Sequence, residues 1–273
     1  MLARFAPSPT GRLHLGHAYA ALFAWRAPGR TGTCLLRIED IDPDRCRPDY
    51  EQGIYDDLAW LGLTWPTPVR RQSQHMQDYR AALTRLTEMG VTYPCFCSRQ
   101  DVARAATAHG PEGAIYPGTC RTLDAATRAD RIARGDAHSI RLDVARGAAI
   151  TGPLFWDERD EGRIAVDPAI GGDPVIARRD VPTSYHLSVT VDDHLQQITL
   201  VPRGRDLFLA THVQRLLQAL LGFAAPLYAH HALVLDTDGQ KLSKRDHATA
   251  LADLRAEGWS VADVKKRIGW QDD

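Results

Sequence analysis

Apolar segments and helix-forming segments alternate along the first 90 residues. Short apolar segments near Arg4 to Ala6 and Cys34 to Ile38 predict two buried strands, and the segment Ala18 to Trp25 between them predicts a helix. Further helices are predicted near Tyr50 to Leu61 and His75 to Met89. Strands that alternate with helices are typical of parallel sheets. Residues 1-90 are therefore predicted to form the first half of a doubly wound, Rossmann-like α/β catalytic domain.

The regular alternation stops at Val91. From there to Asp180 the pattern gives turns, a cysteine cluster, a helix near Leu123 to Arg134 and a strand near Ser139 to Asp143, which predicts an inserted subdomain at residues 91-180. Residues 181-235 are predicted to complete the catalytic domain, and residues 236-273 to form a loop and a short helical C-terminal region. Leucine and valine residues at helical spacing predict a helix that packs one face against the sheet: Leu209, Val213, Leu216, Leu217 and Leu220.

The composition is that of a soluble enzyme with a buried core, since 44% of the 273 residues are hydrophobic. No charged segment leads into a long apolar stretch, and the five cysteines are an odd number, so we expect a cytoplasmic protein without disulfides or a membrane anchor. The formal net charge of −1 gives no general attraction to nucleic acid. RNA contacts would therefore need local basic clusters. An ordinary solvated cluster is the favoured interpretation of each candidate: Arg70–Arg71, Arg178–Arg179 and Lys265–Arg267.

A turn-forming segment, Pro7–His17, joins the first predicted strand to the first predicted helix. It predicts a tight loop at a helix N-terminus, where free backbone N–H groups and the positive end of the helix dipole attract phosphate. Gly16 would let a nucleotide approach the backbone closely. His14 and His17, three residues apart, would present imidazole N–H groups to the phosphates. A turn with two surface histidines explains the segment equally well.

A second segment, Lys241–Arg245, favours the nucleotide interpretation. The chain has 33 lysine and arginine residues, of which only four are lysines, and two of those are Lys241 and Lys244. A compact ammonium suits triphosphate oxygens, whereas arginine presents a planar fork. The segment Ala232 to Leu235 predicts a strand that ends in a turn at Asp236–Gly239, which puts the lysines where open α/β sheets bind ligands. A solvated charged loop is the alternative.

The two segments together resemble the paired ATP motifs of class I aminoacyl-tRNA synthetases, and Arg4–Gly11 is similar to the glutamyl branch of that family. Further blocks resemble that branch in the same order: Arg37–Asp42, Ser184–His194 and Arg203–Asp206. The resemblance therefore extends over residues 4-245. The lysine motif departs from the family pattern only in Leu242, where methionine is frequent, and in the final Arg245. Neither difference weakens the ATP interpretation, since leucine conserves the volume of methionine.

The resemblance implies an ATP site and a glutamate site. Catalytic roles fall to His14, His17, Lys241 and Lys244, and the implied ATP-binding residues are Pro7, His14, Gly16, His17, Lys241, Ser243 and Lys244. The implied glutamate-binding residues are Arg4, Phe5, Ala6, Pro7, Ser8, Glu39, Tyr185 and Arg203. The charges of these residues agree with this assignment, because the carboxylate of Glu39 could pair with the cationic amine of the substrate. Either Arg4 or Arg203 suits the side-chain carboxylate, in a fork that rejects glutamine. Buried ion pairs within the fold would account for the same residues.

Three cysteines of the predicted insertion are spaced as metal ligands. Cys95, Cys97 and Cys120 would offer thiolates to a tetrahedral zinc ion, and three reduced structural cysteines explain the spacing about as well. His109 would be the conventional fourth ligand. The resemblance instead implies Tyr116, because the glutamyl-queuosine branch of the family carries a Cys-x-Cys and Tyr-x-x-x-Cys arrangement. Four protein ligands leave no open position, so such a Zn²⁺ ion would be structural.

The activity implied by the resemblance is formation of glutamyl-adenylate from L-glutamate and ATP with Mg²⁺, followed by transfer to a nucleic-acid hydroxyl. Only residues 246-273 follow the lysine motif, and an independent domain usually needs about 50 residues or more. We therefore expect no anticodon-binding domain. The resemblance then implies the truncated branch that modifies queuosine at the wobble position of tRNA(Asp), with no obligate protein partner. The alternatives are a minimal glutamyl-tRNA synthetase that charges a tRNA 3′ end, a small-acid nucleotidyltransferase without an RNA substrate, and a catalytically silent module.

Overall fold

A computed structural model describes residues 1-106, 108-110, 113-233 and 249-272, without the side chains of residues 109 and 110. The first part of the chain alternates strands and helices: β1 (Leu2–Phe5), α1 (Leu15–Arg26), β2 (Thr33–Ile38), α2 (Pro48–Trp60), β3 (Arg70–Arg71) and α3 (Met76–Glu88). These three strands are parallel and lie in the order β3, β2, β1. The strands and helices predicted for this part are confirmed, apart from short shifts at their ends.

The middle of the chain consists of short elements: β4 (Thr92–Cys95), α4 (Arg99–Ala105), β5 (His109–Gly110), β6 (Gly113–Ala114), α5 (Ala125–Ala133), β7 (Ser139–Leu142), α6 (Val144–Thr151), β8 (Phe155–Glu158), β9 (Gly162–Ala165) and β10 (Val175–Ala177). An antiparallel sheet in the order β10, β7, β4 forms the centre of this region. β5 pairs with β6, and β8 pairs with β9, both antiparallel. The predicted helix near Leu123 to Arg134 and the predicted strand near Ser139 are confirmed as α5 and β7.

The last part returns to parallel strands and helices: α7 (Tyr185–Leu195), β11 (Leu200–Gly204), α8 (Ala210–Leu221), β12 (Leu227–His231), α9 (Leu251–Ala256) and α10 (Val261–Arg267). β11 and β12 are parallel, and β12 also pairs in parallel with β8. β12 ends at His231, and Ala232 and Leu233, the first half of the strand predicted over Ala232 to Leu235, follow it outside any strand, whereas residues 234-235 lie outside the described residues. Pairing in register with β11 determines where β12 lies, and the apolar run alone does not carry that information.

The two groups of parallel strands meet at β1 and β11. The Thr199 N–H group donates to Leu2 O at 2.9 Å, and the Leu2 N–H group donates to Thr199 Oγ1 at 2.9 Å. The strand order across the molecule is therefore β3, β2, β1, β11, β12, β8. The chain runs outward from β1 to β3 and from β11 to β12, and β8, which comes earlier in the chain, lies beyond β12. This order confirms the predicted doubly wound parallel α/β fold. β8 extends this sheet although it lies within residues 91-180, and the division of the chain into domains stays a prediction.

The described helices are short. The longest of them, α2 and α3, have 13 residues each. Among the described residues, no helix has both the length and the apolar character that crossing a bilayer requires.

Helix α8 has an apolar side and a polar side. The apolar side packs against α3, α6 and α7 rather than against the parallel sheet, which corrects the prediction for Val213, Leu216, Leu217 and Leu220. The polar side faces the sheet, where Gln218 Nε2 donates to Tyr228 Oη at 2.9 Å and Gln214 Oε1 accepts from Arg203 Nη1 at 2.8 Å. The sheet presents buried polar groups to α8, and such groups need hydrogen-bond partners.

Two consecutive aspartates of α7 bind one arginine from each strand of the first sheet. Arg70 of β3 contacts Asp192 at 2.7 Å, while Arg37 of β2 and Arg4 of β1 contact Asp193 Oδ1 at 2.7 and 3.1 Å. Burial favours the neutral form of Asp193, but the charges of Arg4 and Arg37 outweigh burial and lower the pKa of its carboxyl. These ion pairs fix α7 across the sheet.

The C-terminal helices pack against the first part of the chain. Leu251 N–H donates to Leu13 O at 2.8 Å, and Ala250 forms an antiparallel bridge with His14. Leu254 and Val264 lie in the same apolar core as the side chains of α1 and α2. The N-terminus of α1 and the C-terminal region are therefore held together.

Replacing Asp192 by asparagine is expected to destabilise the fold strongly. An amide cannot balance the charge of Arg70, 2.7 Å away, or that of Arg37, whose Nε lies 3.7 Å from Asp192. We therefore expect the free energy of unfolding to fall by about 3–5 kcal/mol, the usual cost of breaking a buried ion pair by removing one partner. Urea unfolding followed by circular dichroism measures the change. Asp78→Asn is the matched control, because Asp78 also contacts Arg70 at 2.7 Å but is partly exposed, and its loss should cost below about 1 kcal/mol. Equal losses in the two variants would contradict the role given to Asp192.

Candidate active site

A cavity of about 560 Å³ lies at the carboxyl ends of β1, β2, β11 and β12. The N-termini of α1 and α7 complete its wall, which is the position where doubly wound sheets bind ligands. The structure brings together all the predicted ATP-binding and glutamate-binding residues that it describes: Arg4, Phe5, Ala6, Pro7, Ser8, His14, Gly16, His17, Glu39, Tyr185 and Arg203. The remaining predicted residues, Lys241, Ser243 and Lys244, lie outside the described residues.

The loop after β1 is tied to the segment between β2 and α2 by backbone hydrogen bonds. Glu39 N–H donates to Pro7 O at 3.1 Å, and Arg47 N–H donates to Pro9 O at 3.0 Å. Within the loop, Thr10 N–H donates to Ser8 O at 2.8 Å, which closes a tight turn. The two prolines that the sequence places here thus contribute carbonyl acceptors, and their missing N–H groups leave no donor unpaired.

His14 and His17 form the N-terminal cap of α1. Gly16 N–H donates to His14 Nδ1 at 3.1 Å, and His14 N–H donates to His17 Nδ1 at 3.2 Å. A ring nitrogen that accepts a hydrogen bond carries no proton, so both rings carry theirs on Nε2. The ring centroids are 3.9 Å apart, and both residues line the cavity. This end of α1 therefore combines two imidazole donors with the positive end of the helix dipole.

Arg203 is a buried arginine at the end of β11. Its Nε donates to His230 Nε2 at 3.0 Å, its Nη1 to Gln214 Oε1 at 2.8 Å and its Nη2 to Thr211 Oγ1 at 2.6 Å. All three acceptors are neutral, and Arg203 forms no ion pair within the part of the chain that the structure describes. A guanidinium carries five N–H groups. Two of them therefore have none of these acceptors, beside a cavity that Arg203 lines.

Arg4 and Glu39 are already paired within the fold. Arg4 Nε contacts Asp193 Oδ1, and Arg37 Nη2 contacts Glu39 Oε1 at 3.2 Å. Burial raises the pKa of the Glu39 carboxyl, against the opposing charges of Arg37 and Arg4. A bound ammonium group beside Glu39 would add a further positive charge and favour the carboxylate. Burial also raises the pKa of Tyr185, so its hydroxyl remains a hydrogen-bond donor at neutral pH.

Several residues of the cavity were not identified from the sequence. Asp206, Leu207, His231 and Leu233 line it, and His230 lies directly behind Arg203. The position of His230 and His231 at the carboxyl end of an apolar strand was the available indication. It would have required the correct end of β12, whereas the sequence pattern predicted a strand that begins only at Ala232.

Described residues close to both ends of segment 234-248 contact the cavity or a residue that lines it. Leu233 lines it, and Ala250 pairs with His14, which lines it as well. The lysine motif thus belongs to a segment whose described neighbours are at the candidate nucleotide site.

A second cluster consists of the three predicted cysteine ligands. The sulfur atoms of Cys95, Cys97 and Cys120 lie within 4.8 Å of one another, and those of Cys97 and Cys120 are 3.5 Å apart. Tetrahedral zinc–thiolate geometry with Zn–S bonds of about 2.3 Å separates sulfur atoms by about 3.8 Å, so the cluster is compatible with a zinc ion. Tyr116 Oη lies 3.9 Å from Cys97 Sγ and accepts from Cys120 N–H at 2.6 Å. The side chain of His109 lies outside what the structure describes.

The family description "tRNA synthetases class I (E and Q), catalytic domain" matches residues 1–267. The chain belongs to this family. The glutamyl-Q tRNA(Asp) synthetase of Rhodobacter capsulatus is 48% identical over 98% of this chain and 100% of the relative, and that of Nocardia farcinica is 47% identical over 96% and 81%. The crystal structure of a glutamate tRNA ligase from Elizabethkingia meningosepticum superposes with a TM-score of 0.75 at 28% identity. This match covers 90% of our chain and 52% of the ligase.

The family assignment confirms the predicted class I synthetase catalytic fold. The parallel sheet, the cavity at its carboxyl end and the cap of α1 by two histidines are thus features of a tRNA synthetase catalytic domain. The roles of the individual residues stay predictions.

Cys97→Ser is expected to abolish zinc binding. A serine hydroxyl is a much poorer zinc ligand than a thiolate, so we expect bound zinc to fall from about one ion per chain to near zero after dialysis against a mild chelator. Atomic emission spectroscopy measures the content. Cys46→Ser is the matched control, because Cys46 lies outside the cluster. Full zinc content in Cys97→Ser, or none in the unsubstituted protein, would contradict the metal site.

Proposed function

We propose that the protein activates glutamate with ATP and transfers the glutamyl group to queuosine at the wobble position of tRNA(Asp). The observation that supports this most directly is one cavity holding Arg4, Glu39 and Arg203 beside the paired histidines. It occurs in a chain 48% identical to a glutamyl-Q tRNA(Asp) synthetase.

The charges around the cavity suit glutamate. Among the described residues, Arg203 donates to neutral acceptors only, whereas the Nε of Arg4 already contacts Asp193, so Arg203 is the stronger candidate for the side-chain carboxylate. Glutamine would place an amide N–H group against this guanidinium. Both groups are hydrogen-bond donors, so no hydrogen bond could form between them. Glu39 would bind the substrate ammonium group, and Tyr185 and Ser8 would donate hydroxyl hydrogen bonds.

The first reaction step is adenylation. An oxygen of the glutamate α-carboxylate attacks the α-phosphorus of ATP, the bond from that phosphorus to the bridging oxygen breaks, and pyrophosphate leaves. The Nε2–H groups of His14 and His17 would stabilise the negative charge that develops on the phosphate oxygens. Lys241 and Lys244 are proposed to bind the triphosphate. Mg²⁺ carried by ATP would offset part of its charge.

The second step is acyl transfer. A hydroxyl oxygen of the queuosine cyclopentene-diol attacks the glutamyl carbonyl carbon and loses its proton, the bond from that carbon to the phosphate oxygen breaks, AMP leaves, and an ester forms. The relatives from Rhodobacter capsulatus and Nocardia farcinica favour this acceptor over the 3′-terminal ribose of a tRNA, since they are named glutamyl-Q tRNA(Asp) synthetases. A compact glutamyl-tRNA synthetase would use the same residues for adenylation.

We further propose Tyr116 as the fourth zinc ligand. Its oxygen lies at the cysteine cluster, and burial raises the pKa of the phenol, so the phenolate would need the charge of a cation. With three thiolates and one phenolate, Zn²⁺ would have no open position and would fix the insertion rather than take part in the reaction.

Transfer of labelled glutamate to two tRNA pools tests the function. One pool comes from cells that make queuosine and the other from cells that cannot. We expect label in the queuosine pool only, in alkali-labile form. Equal label in both pools would indicate a glutamyl-tRNA synthetase. Absence of label from both would favour a small-acid nucleotidyltransferase or a silent module.

Lys244→Ala is expected to lose adenylate formation. Removing one donor to a developing negative charge commonly lowers kcat by about 10²–10³-fold, and we expect a loss of that order in ATP–pyrophosphate exchange, with glutamate binding retained. Lys266→Ala is the matched control, because Lys266 lies on α10, away from the cavity. Near-normal exchange by Lys244→Ala would contradict its role.

A further inference from the structure

Three buried residues on neighbouring strands form a row behind the cavity. Arg203 of β11 lies opposite His230 of β12, and Glu158 of β8 lies beside β12. Arg203 Nε donates to His230 Nε2 at 3.0 Å. Glu158 accepts twice, from His230 Nδ1 at 2.7 Å and from His230 N–H at 2.8 Å.

The hydrogen bonds fix the protonation state of His230. Nε2 accepts from an arginine, which is always a donor, so the ring proton must lie on Nδ1 and point to Glu158. Burial lowers the pKa of His230, and the charge of Arg203 also lowers it. These two effects outweigh the hydrogen bond to Glu158, which raises it. A second proton on Nε2 would face the Nε–H group of Arg203, so the row is consistent only with neutral His230.

An intervening imidazole leaves Arg203 with a different electrostatic environment from Arg4. Arg4 contacts a carboxylate directly, which satisfies part of its charge. The carboxylate nearest to Arg203 along the row is one side chain further away, and Coulomb attraction weakens with distance. His230 Nε2 therefore orients Arg203 as a hydrogen-bond acceptor, and the positive charge of Arg203 still attracts a carboxylate that enters the cavity.

We infer that Glu158 and His230 are positioning residues that set the affinity of Arg203 for the side-chain carboxylate of the amino-acid substrate. The inference rests on the proposed function, in which Arg203 binds that carboxylate. Glu158 fixes the ring proton of His230, His230 presents an acceptor to Arg203, and Arg203 faces the substrate. Neither Glu158 nor His230 lines the cavity.

Glu158→Gln tests the row with a minimal change of shape. Glutamine can accept from His230 N–H, but its amide N–H group then faces Nδ1 and drives the ring proton to Nε2, against Arg203. We expect KM for glutamate to rise about tenfold or more, because hydrogen bonds to charged groups are the strong ones. KM for ATP should stay within about twofold. The ratio of kcat/KM for glutamate to kcat/KM for glutamine should fall. ATP–pyrophosphate exchange in the presence of queuosine-containing tRNA(Asp) measures these values.

A matched pair at His230 separates positioning from packing. His230→Gln keeps one donor and one acceptor, so we expect KM for glutamate near that of the unsubstituted protein. His230→Leu removes both and should behave like Glu158→Gln. Glu161→Gln is the control for charge, since Glu161 is exposed in the turn between β8 and β9 and pairs with Arg205.

Each outcome decides the inference. A rise in KM for glutamate alone in Glu158→Gln and His230→Leu, with His230→Gln and Glu161→Gln unaffected, supports it. An unchanged KM for glutamate overturns it. So does a parallel rise in both KM values with a lowered melting temperature, since that indicates a purely structural role. An unsubstituted protein without glutamate-dependent exchange overturns the proposed function as well, whereas an active one with unaffected variants overturns only the positioning role.

Discussion

Three arginines, one on each of the strands β1, β2 and β3, converge on Asp192 and Asp193 of α7, and the geometry of the cavity depends on these ion pairs. The aspartates are buried, so an ion pair that separated would leave a charge without compensation, and the partners therefore stay at hydrogen-bond distance. α7 is thereby fixed against the sheet, and its first residue, Tyr185, is placed in the cavity wall. Arg37 extends the same network to Glu39 at the end of β2. A single buried network thus positions Glu39 and Tyr185, two of the groups that the proposed function assigns to glutamate binding.

The two cavity arginines are held in different ways, and this difference gives the site its polarity. Arg4 is bound by the carboxylate of Asp193, whereas Arg203 is bound by neutral acceptors on β12 and α8. Buried positive charge without a direct counterion is costly, and an anionic ligand would offset that cost. α8 contributes by turning its polar side to the sheet, where Gln214 and Thr211 orient the guanidinium. The helix packing and the charge of the site are therefore linked.

Local patterns carried much of the information about the fold and about the cavity. Pro7–His17 predicted a strand, a turn and a helix start, because prolines, glycine and helix-forming residues restrict the backbone within a few residues. The structure has this arrangement, and all the described residues predicted for ATP and glutamate line one cavity. The cysteine cluster was predicted from spacing in the same way, and its sulfur atoms do converge.

The sequence by itself determined β1, β2 and the helices of the first half of the doubly wound sheet, the family and most of the cavity lining, since those follow from short-range spacing and from motifs. The tertiary structure alone decided the end of β12, the partners of the α8 leucines and the row from Glu158 through His230 to Arg203. His230 and Arg203 are 27 residues apart in the chain, and Glu158 and His230 are 72 apart. Their contacts depend on the register between β8, β12 and β11, and strand register is a property of paired strands that no single segment of sequence contains.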